Sequence, residues 1–115
     1  MYDILTLNKI SQIGLKELDS KYAVTDCCDC PDGIIVRSAS MHEYDFSDKT
    51  LAVARAGAGV NNIPVEDCTK KGIVVFNTPG ANANGVKELT VAALLLASRD
   101  IYGGIKWAKG LTGED

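Results

Sequence analysis

The feature that most limits the fold is an alternation: five short, β-prone runs are separated by stretches of helical spacing or turn residues. The runs are "YDILTL" (2–7), "YAVTDCC" (22–28), "GIIVRS" (33–38), "LAVARAG" (51–57) and "IVVFNT" (73–78). After the first, Ile10, Ile13 and Leu18 recur at helical intervals, although Gly14 weakens a helix there. "DCPDG" closes the second run with turn chemistry, and "MHEYDFSDK" (41–49) leaves room for only a turn or two of helix. Between the fourth and fifth runs the punctuation is helical. Pro64 suits a first turn, Glu66 and Asp67 the positive end, Lys70 and Lys71 the negative end, and Gly72 the stop. The longest helix runs from about Asn82 or Asn84 to Ile101, and a polar "GLTGED" follows at the end. The three successive apolar residues of "GIIV" fit a strand buried on both faces. Strands alternating with helices predict an α/β fold: an open, parallel, five-stranded sheet with helices on both faces.

At 115 residues the chain is long enough for one core. Its 46% hydrophobic and 23% charged residues are ordinary for a soluble globular protein, and a net charge of -3 gives no reason to expect nucleic acid or membrane as a partner. "MYDILTLNKI" lacks the marks of a secretory signal, and the longest run without a polar side chain is Val91 to Ala97. A cytoplasmic location is the simplest expectation. Cys27, Cys28, Cys30 and Cys68 lack the paired spacing of a zinc site, and His42 belongs to no such pattern, so no metal site is expected. The cysteines are read as reduced small hydrophobes, with zinc or iron content the check on a metal or redox module.

The long helix carries a message of its own. From Thr90 to Ser98 every intervening side chain is apolar, which leaves no wet face over two turns. Something beyond this chain, a second domain or a subunit, is expected to cover it.

In open parallel sheets, ligands bind outside the carboxyl ends of the strands. Arg37-Ser38 ends the third run, Arg55 and Gly57-Ala58-Gly59-Val60 end the fourth, and Thr78-Pro79-Gly80-Ala81-Asn82 ends the fifth and leads into the long helix. The glycine turn looks like a dinucleotide fingerprint, but Asn62 stands where the third glycine belongs, and three strands precede it. Glycines permit unusual backbone conformations, and their amides can converge on an anion as a nest. Arginine's fork matches carboxylate or phosphate. Two arginines and a nest suit a small molecule with two anionic groups. Each piece also has a plain structural reading: a surface ion pair, a tight turn, a capping threonine.

The ordered set GIIVRSA, RAGAGV, KGIVVFNTPG and the long-helix motif resembles the substrate-binding domain of the NAD-dependent D-2-hydroxyacid dehydrogenases. Within that family the likeness is to members that oxidise 3-phosphoglycerate to 3-phosphohydroxypyruvate in serine biosynthesis. The resemblance implies a flavodoxin-like sheet, with residues 1–101 as the N-terminal portion of the substrate-binding domain. Residues 102–115 would begin the connection to a nucleotide-binding domain absent from this chain. It implies that Arg37, Ser38 and Arg55 contact the anionic substrate and that the Ala58 and Gly59 amides hold its carboxylate. Thr78 and Asn82 would face the nicotinamide, with NAD bound mainly by the missing domain. The partner would be a small anionic 2-hydroxy or 2-keto acid, and the parent enzyme a homodimer.

There are departures from the family pattern. Asn61 stands where many members have aspartate, and the 41–49 crossover is short. The family's catalytic arginine, glutamate and histidine lie further along than this sequence reaches, and His42 is too early to match. The chain alone is therefore expected to be catalytically silent. Glycerate or lactate as substrate, or a free-standing flavodoxin-like module, are the alternatives. A receiver domain is disfavoured because its aspartate positions hold Leu7-Asn8 and Arg37-Ser38, and "LNKISQ" is a poor flavin phosphate loop.

Overall fold

The computed structural model describes residues 1–113. The chain forms two compact units, Met1–Pro79 and Gly80 onward. The first holds a parallel sheet of strands β1 (Tyr2–Leu7), β2 (Tyr22–Thr25), β3 (Gly33–Val36), β4 (Ala52–Arg55) and β5 (Val74–Phe76). Their order is β2-β1-β3-β4-β5, the flavodoxin-like order. β1 fills its whole run, whereas β2 to β5 are shorter than theirs, mainly because the last residues of those runs turn out of the ladder into the carboxyl-end loops.

Register explains where the core lies. Leu5 pairs with Ile34, Ile34 with Val53, and Leu7 with Val36, so alternate residues share one face of the pleat. On that face Leu5, Ile34, Val36 and Val53 are buried, together with Met41 and Phe46 from the 41–49 crossover. Helix α2 (Val65–Lys70) adds Cys68, and Ile63 and Ile73 seal its two ends. Its punctuation is as expected: Pro64 caps the start, Glu66 and Asp67 occupy the first turn, and Gly72 takes a left-handed φ of 73° after the C-cap Lys71. The crossover itself forms no helix.

The opposite face carries Ile4, Ile35, Ala52, Ala54 and Phe76, which with Leu18 and Tyr22 line an apolar groove of about 260 Å³. The segment between β1 and β2 forms only one short turn of helix, α1 (Gln12–Leu15), with no buried residue. That face is thinly covered: Val74 is 53% and Phe76 56% exposed. At the amino ends of the strands, Asp32 Oδ2 accepts the Asp3 amide at 2.7 Å, and Lys49 Nζ lies 3.1 Å from Asp32 and 3.2 Å from Asp3. The Asp3 amide, and then Lys49, hold the Asp32 carboxyl below its ordinary pKa against the opposing effect of burial.

The second unit is helical. α3 (Ala83–Ser98) starts after Asn82 as expected but stops before Ile101. Asp100 adopts a left-handed conformation (φ 44°), and its carboxylate accepts the Gly103 amide to cap a new helix, α4 (Ile101–Lys109). The sequence reading missed α4, since it took the helical pattern to end at Ile101. Of the 102–115 segment, residues 114–115 lie outside the described residues. No residue of α3 is buried, and Leu89 and Leu94 are 72% and 66% exposed. No helix among the described residues is long and apolar enough to cross a membrane.

The cysteines divide. All four are free; Cys68 is in the core and Cys28 packs against it, whereas Cys27 and Cys30 are exposed and do not behave as buried hydrophobes.

Candidate functional site

The strand order reverses between β1 and β3, so the carboxyl ends of these neighbours diverge at the natural ligand crevice of such a sheet. Asn8 follows β1 and Arg37 follows β3. Asn8 has a φ of 75°, a left-handed conformation that asparagine tolerates better than most side-chain-bearing residues. Its Oδ1 accepts three successive amides, from Arg37 at 3.2 Å and from Ser38 and Ala39 at 2.9 Å each. Converging amides normally serve an anion; here a neutral side-chain oxygen occupies them. Asn8 also borders a groove of about 540 Å³ with Thr6, Lys9, Gln12 and Asp26.

Arg55 ends β4 and points back over the glycine turn. Its Nε donates to the Arg37 carbonyl at 2.9 Å, and its Nη1 donates to the Gly59 carbonyl and, at 3.3 Å, to Asn61 Oδ1. The two arginines thus share one rim, as expected, but their roles differ. Much of Arg55's fork is committed to the chain itself, so it braces the loop rather than presenting a free cation. Arg37 is exposed, and among the described residues its guanidinium has no hydrogen bond or ion pair.

The glycines are needed for a different reason than expected. Gly57 and Gly59 do not have the left-handed φ of Gly72, Gly80 and Gly113. Close approach is what favours them: a Cβ on Gly59 would stand 2.9 Å from Arg55 Nη1 and 3.3 Å from Asn61 Oδ1, and one on Gly57 3.3 Å from Arg55 Nε. Ala58 and Gly59 are exposed, and among the described residues their amides donate to no acceptor in the chain.

Further contacts lace the rim together. Asn62 is 9% exposed; its Nδ2 donates to the Ala39 carbonyl at 2.8 Å and its carbonyl accepts the Met41 amide, while its Oδ1 has no partner. His42 Nε2 lies 2.8 Å from the Asn61 carbonyl. From the end of β5, Asn77 Nδ2 donates to the Ala58 carbonyl at 2.7 Å, and Thr78 donates its amide to Gly57 and its hydroxyl to Arg55. Thr78, expected to face a nicotinamide, therefore straps the glycine turn. Asn82 lies in the second unit as the N-cap residue of α3, without a side-chain capping bond.

The sequence reading missed Asn8, Asn61, Asn62 and Asn77 as rim residues. Four asparagines at strand and loop ends were the available signal, since this side chain mimics backbone turns. Chemically, the rim offers one free guanidinium and a pair of unengaged amides. It does not fit a dinucleotide pyrophosphate. Arg55 lies over the turn, Asn62 in the third-glycine place is tied to Ala39, and no helix opens until Val65.

Comparison with known proteins bears on this geometry. The family model for the D-isomer specific 2-hydroxyacid dehydrogenase, catalytic domain, matches residues 6–114. The human D-3-phosphoglycerate dehydrogenase is 37% identical over 101 residues, covering 85% of this chain and 19% of that protein. The hydroxypyruvate reductase of Thermotoga maritima is 44% identical over 73 residues, 61% of this chain and 24% of that protein. The crystal structure of NAD+-bound 3-phosphoglycerate dehydrogenase from Entamoeba histolytica superimposes with a TM-score of 0.64 at 29% identity, over 83% of this chain and 38% of that one. The chain spans about a fifth of the length of the curated relatives it matches over most of its own. With the motif set, the strand order and the family match in agreement, the chain belongs to the D-isomer specific 2-hydroxyacid dehydrogenases, within their catalytic domain.

Proposed function

We propose that this chain is the substrate-binding portion of an NAD-dependent oxidoreductase that converts 3-phosphoglycerate to 3-phosphohydroxypyruvate in serine biosynthesis. The observation that carries the reading is the pairing of an uncommitted Arg37 with the unengaged Ala58 and Gly59 amides at one sheet edge. The amides take the carboxylate, Arg37 and Ser38 take the phosphate end, and Arg55 keeps the amide turn in shape. Holding the substrate in one pose can lower the barrier by several kcal/mol. NAD, bound mainly outside these residues, supplies hydride acceptance. Thr78 borders the glycine turn, and for Asn82 the nicotinamide role rests on the resemblance alone. A cytoplasmic homodimer is the proposed form of the parent enzyme, with an uncovered α3 as the feature that calls for a partner.

A second reading has its own support: the relative named hydroxypyruvate reductase matches 61% of this chain, so a non-phosphorylated 2-hydroxy acid is the alternative. Calorimetric titration separates them. On the first reading 3-phosphoglycerate binds in the millimolar range, about -4 kcal/mol, and more tightly than glycerate or lactate, and Arg37→Ala removes that preference. Equal affinity for all three would leave only the carboxylate cradle and favour the second.

A further inference from the structure

We infer that Asn8 is a positioning residue for the anion site, presetting the loop that carries Arg37 before any ligand arrives. The inference rests on the reading of this rim as an anion site and adds a residue that the family motifs do not mark. The 37–39 amides would otherwise point into the crevice between β1 and β3, where they would compete for the ligand's anionic groups. Asn8 Oδ1 accepts all three, at 3.2, 2.9 and 2.9 Å. This fixes the main chain on both sides of Arg37, because the Arg37 carbonyl is simultaneously held by Arg55 Nε at 2.9 Å. A side chain whose own peptide unit is bonded on both sides starts from a fixed root. The entropy of ordering that loop is then spent on folding and not on binding.

Asn8 sits in a left-handed conformation, φ 75°, to reach these amides. Local strain of that kind persists where the surroundings over-determine it. The oxygen is neutral, so the amides are satisfied without placing a second anion beside Arg37.

Asn8→Gly tolerates the left-handed backbone and removes the side chain with its accepting oxygen, while Asn8→Asp keeps an acceptor but adds a negative charge beside Arg37. The assay is titration of this chain with 3-phosphoglycerate well below the melting temperature. Asn8→Gly should raise Kd about tenfold; Asn8→Asp, which keeps the acceptor, should melt near the wild type yet also bind the anion more weakly, because its charge opposes the ligand. A purely architectural role would lower the melting temperature and leave Kd in the folded chain unchanged, which would overturn the inference. Absence of binding by the wild-type chain would overturn the anion-site reading and this one with it. Wild-type affinity in Asn8→Gly would overturn this one alone. Should Asn8→Gly not fold, amide exchange in the wild-type chain decides. Protection of Ser38 and Ala39 before ligand is expected; protection that appears only with ligand contradicts a preset loop.

Discussion

Replacing Gly59 by alanine probes the rim at its tightest point. The new Cβ would lie 2.9 Å from Arg55 Nη1, closer than real Cβ contacts come, and 3.3 Å from Asn61 Oδ1, tighter than most of them. The obstruction is the end of a flexible side chain, so the backbone can survive, but Arg55 must leave. In leaving it gives up the carbonyls of Arg37 and Gly59 and the Asn61 side chain. Hydrogen bonds from a charged donor contribute about 1.5–3 kcal/mol each when sheltered. At this partly exposed rim water replaces much of that, so about 1–3 kcal/mol for the set is the expected cost. Urea denaturation followed by circular dichroism should show a lower midpoint with an unchanged slope. Anion affinity should fall along with stability, since the turn presenting the Ala58 and Gly59 amides loses its brace. Gly57→Ala, whose Cβ meets Arg55 Nε at 3.3 Å, should cost less. If Gly59→Ala melts and binds like the wild type, Arg55 does not brace the turn and the glycines are there for another reason.

Two further substitutions test neighbouring interactions. Asn62→Asp replaces the donor facing the Ala39 carbonyl and adds charge to a side chain whose Oδ1 is already buried without a partner. It should destabilise by about 3 kcal/mol or more at neutral pH. Burial raises this folded-state pKa, so stability should be regained on acidification and lost as pH rises through it, as urea midpoints at several pH values would reveal. Asp32 behaves in the opposite sense: its folded pKa is lowered, so its contribution is present above the ordinary carboxylate pKa and disappears as pH falls through the depressed value. Asp32→Asn should flatten the acid limb of the stability profile; an unchanged limb would mean that the Asp3 amide and Lys49 do not stabilise the charged carboxylate.

The sheet was legible because strand signals are local. β-branched runs such as "GIIV" and "IVVF" read as strands whatever surrounds them, and the glycine and proline punctuation around α2 matched its caps. Two features of the rim rest on contacts that a sequence does not display. Arg55 reads as a ligand contact because its acceptor on Arg37 meets it only once β3 and β4 are paired. Gly59 reads as a conformational glycine because the side chain that crowds it folds back from four residues earlier. α4 was missed for a different reason. Asp100 breaks the helical register with a left-handed residue, yet it caps the next helix with the same side chain. Asn8 left almost no trace, since an asparagine after a strand is common turn chemistry until three distant amides gather on it.

The most direct test follows the Ala58 and Gly59 amide resonances during titration of the isotope-labelled chain with 3-phosphoglycerate. If bare main-chain amides and Arg37 together grip the anion, those two resonances should move most and saturate together, and Arg37→Ala should weaken the saturation without moving its location. Shifts concentrated elsewhere, for example in the groove beside Lys9 and Asp26, with Ala58 and Gly59 stationary, would contradict the anion rim.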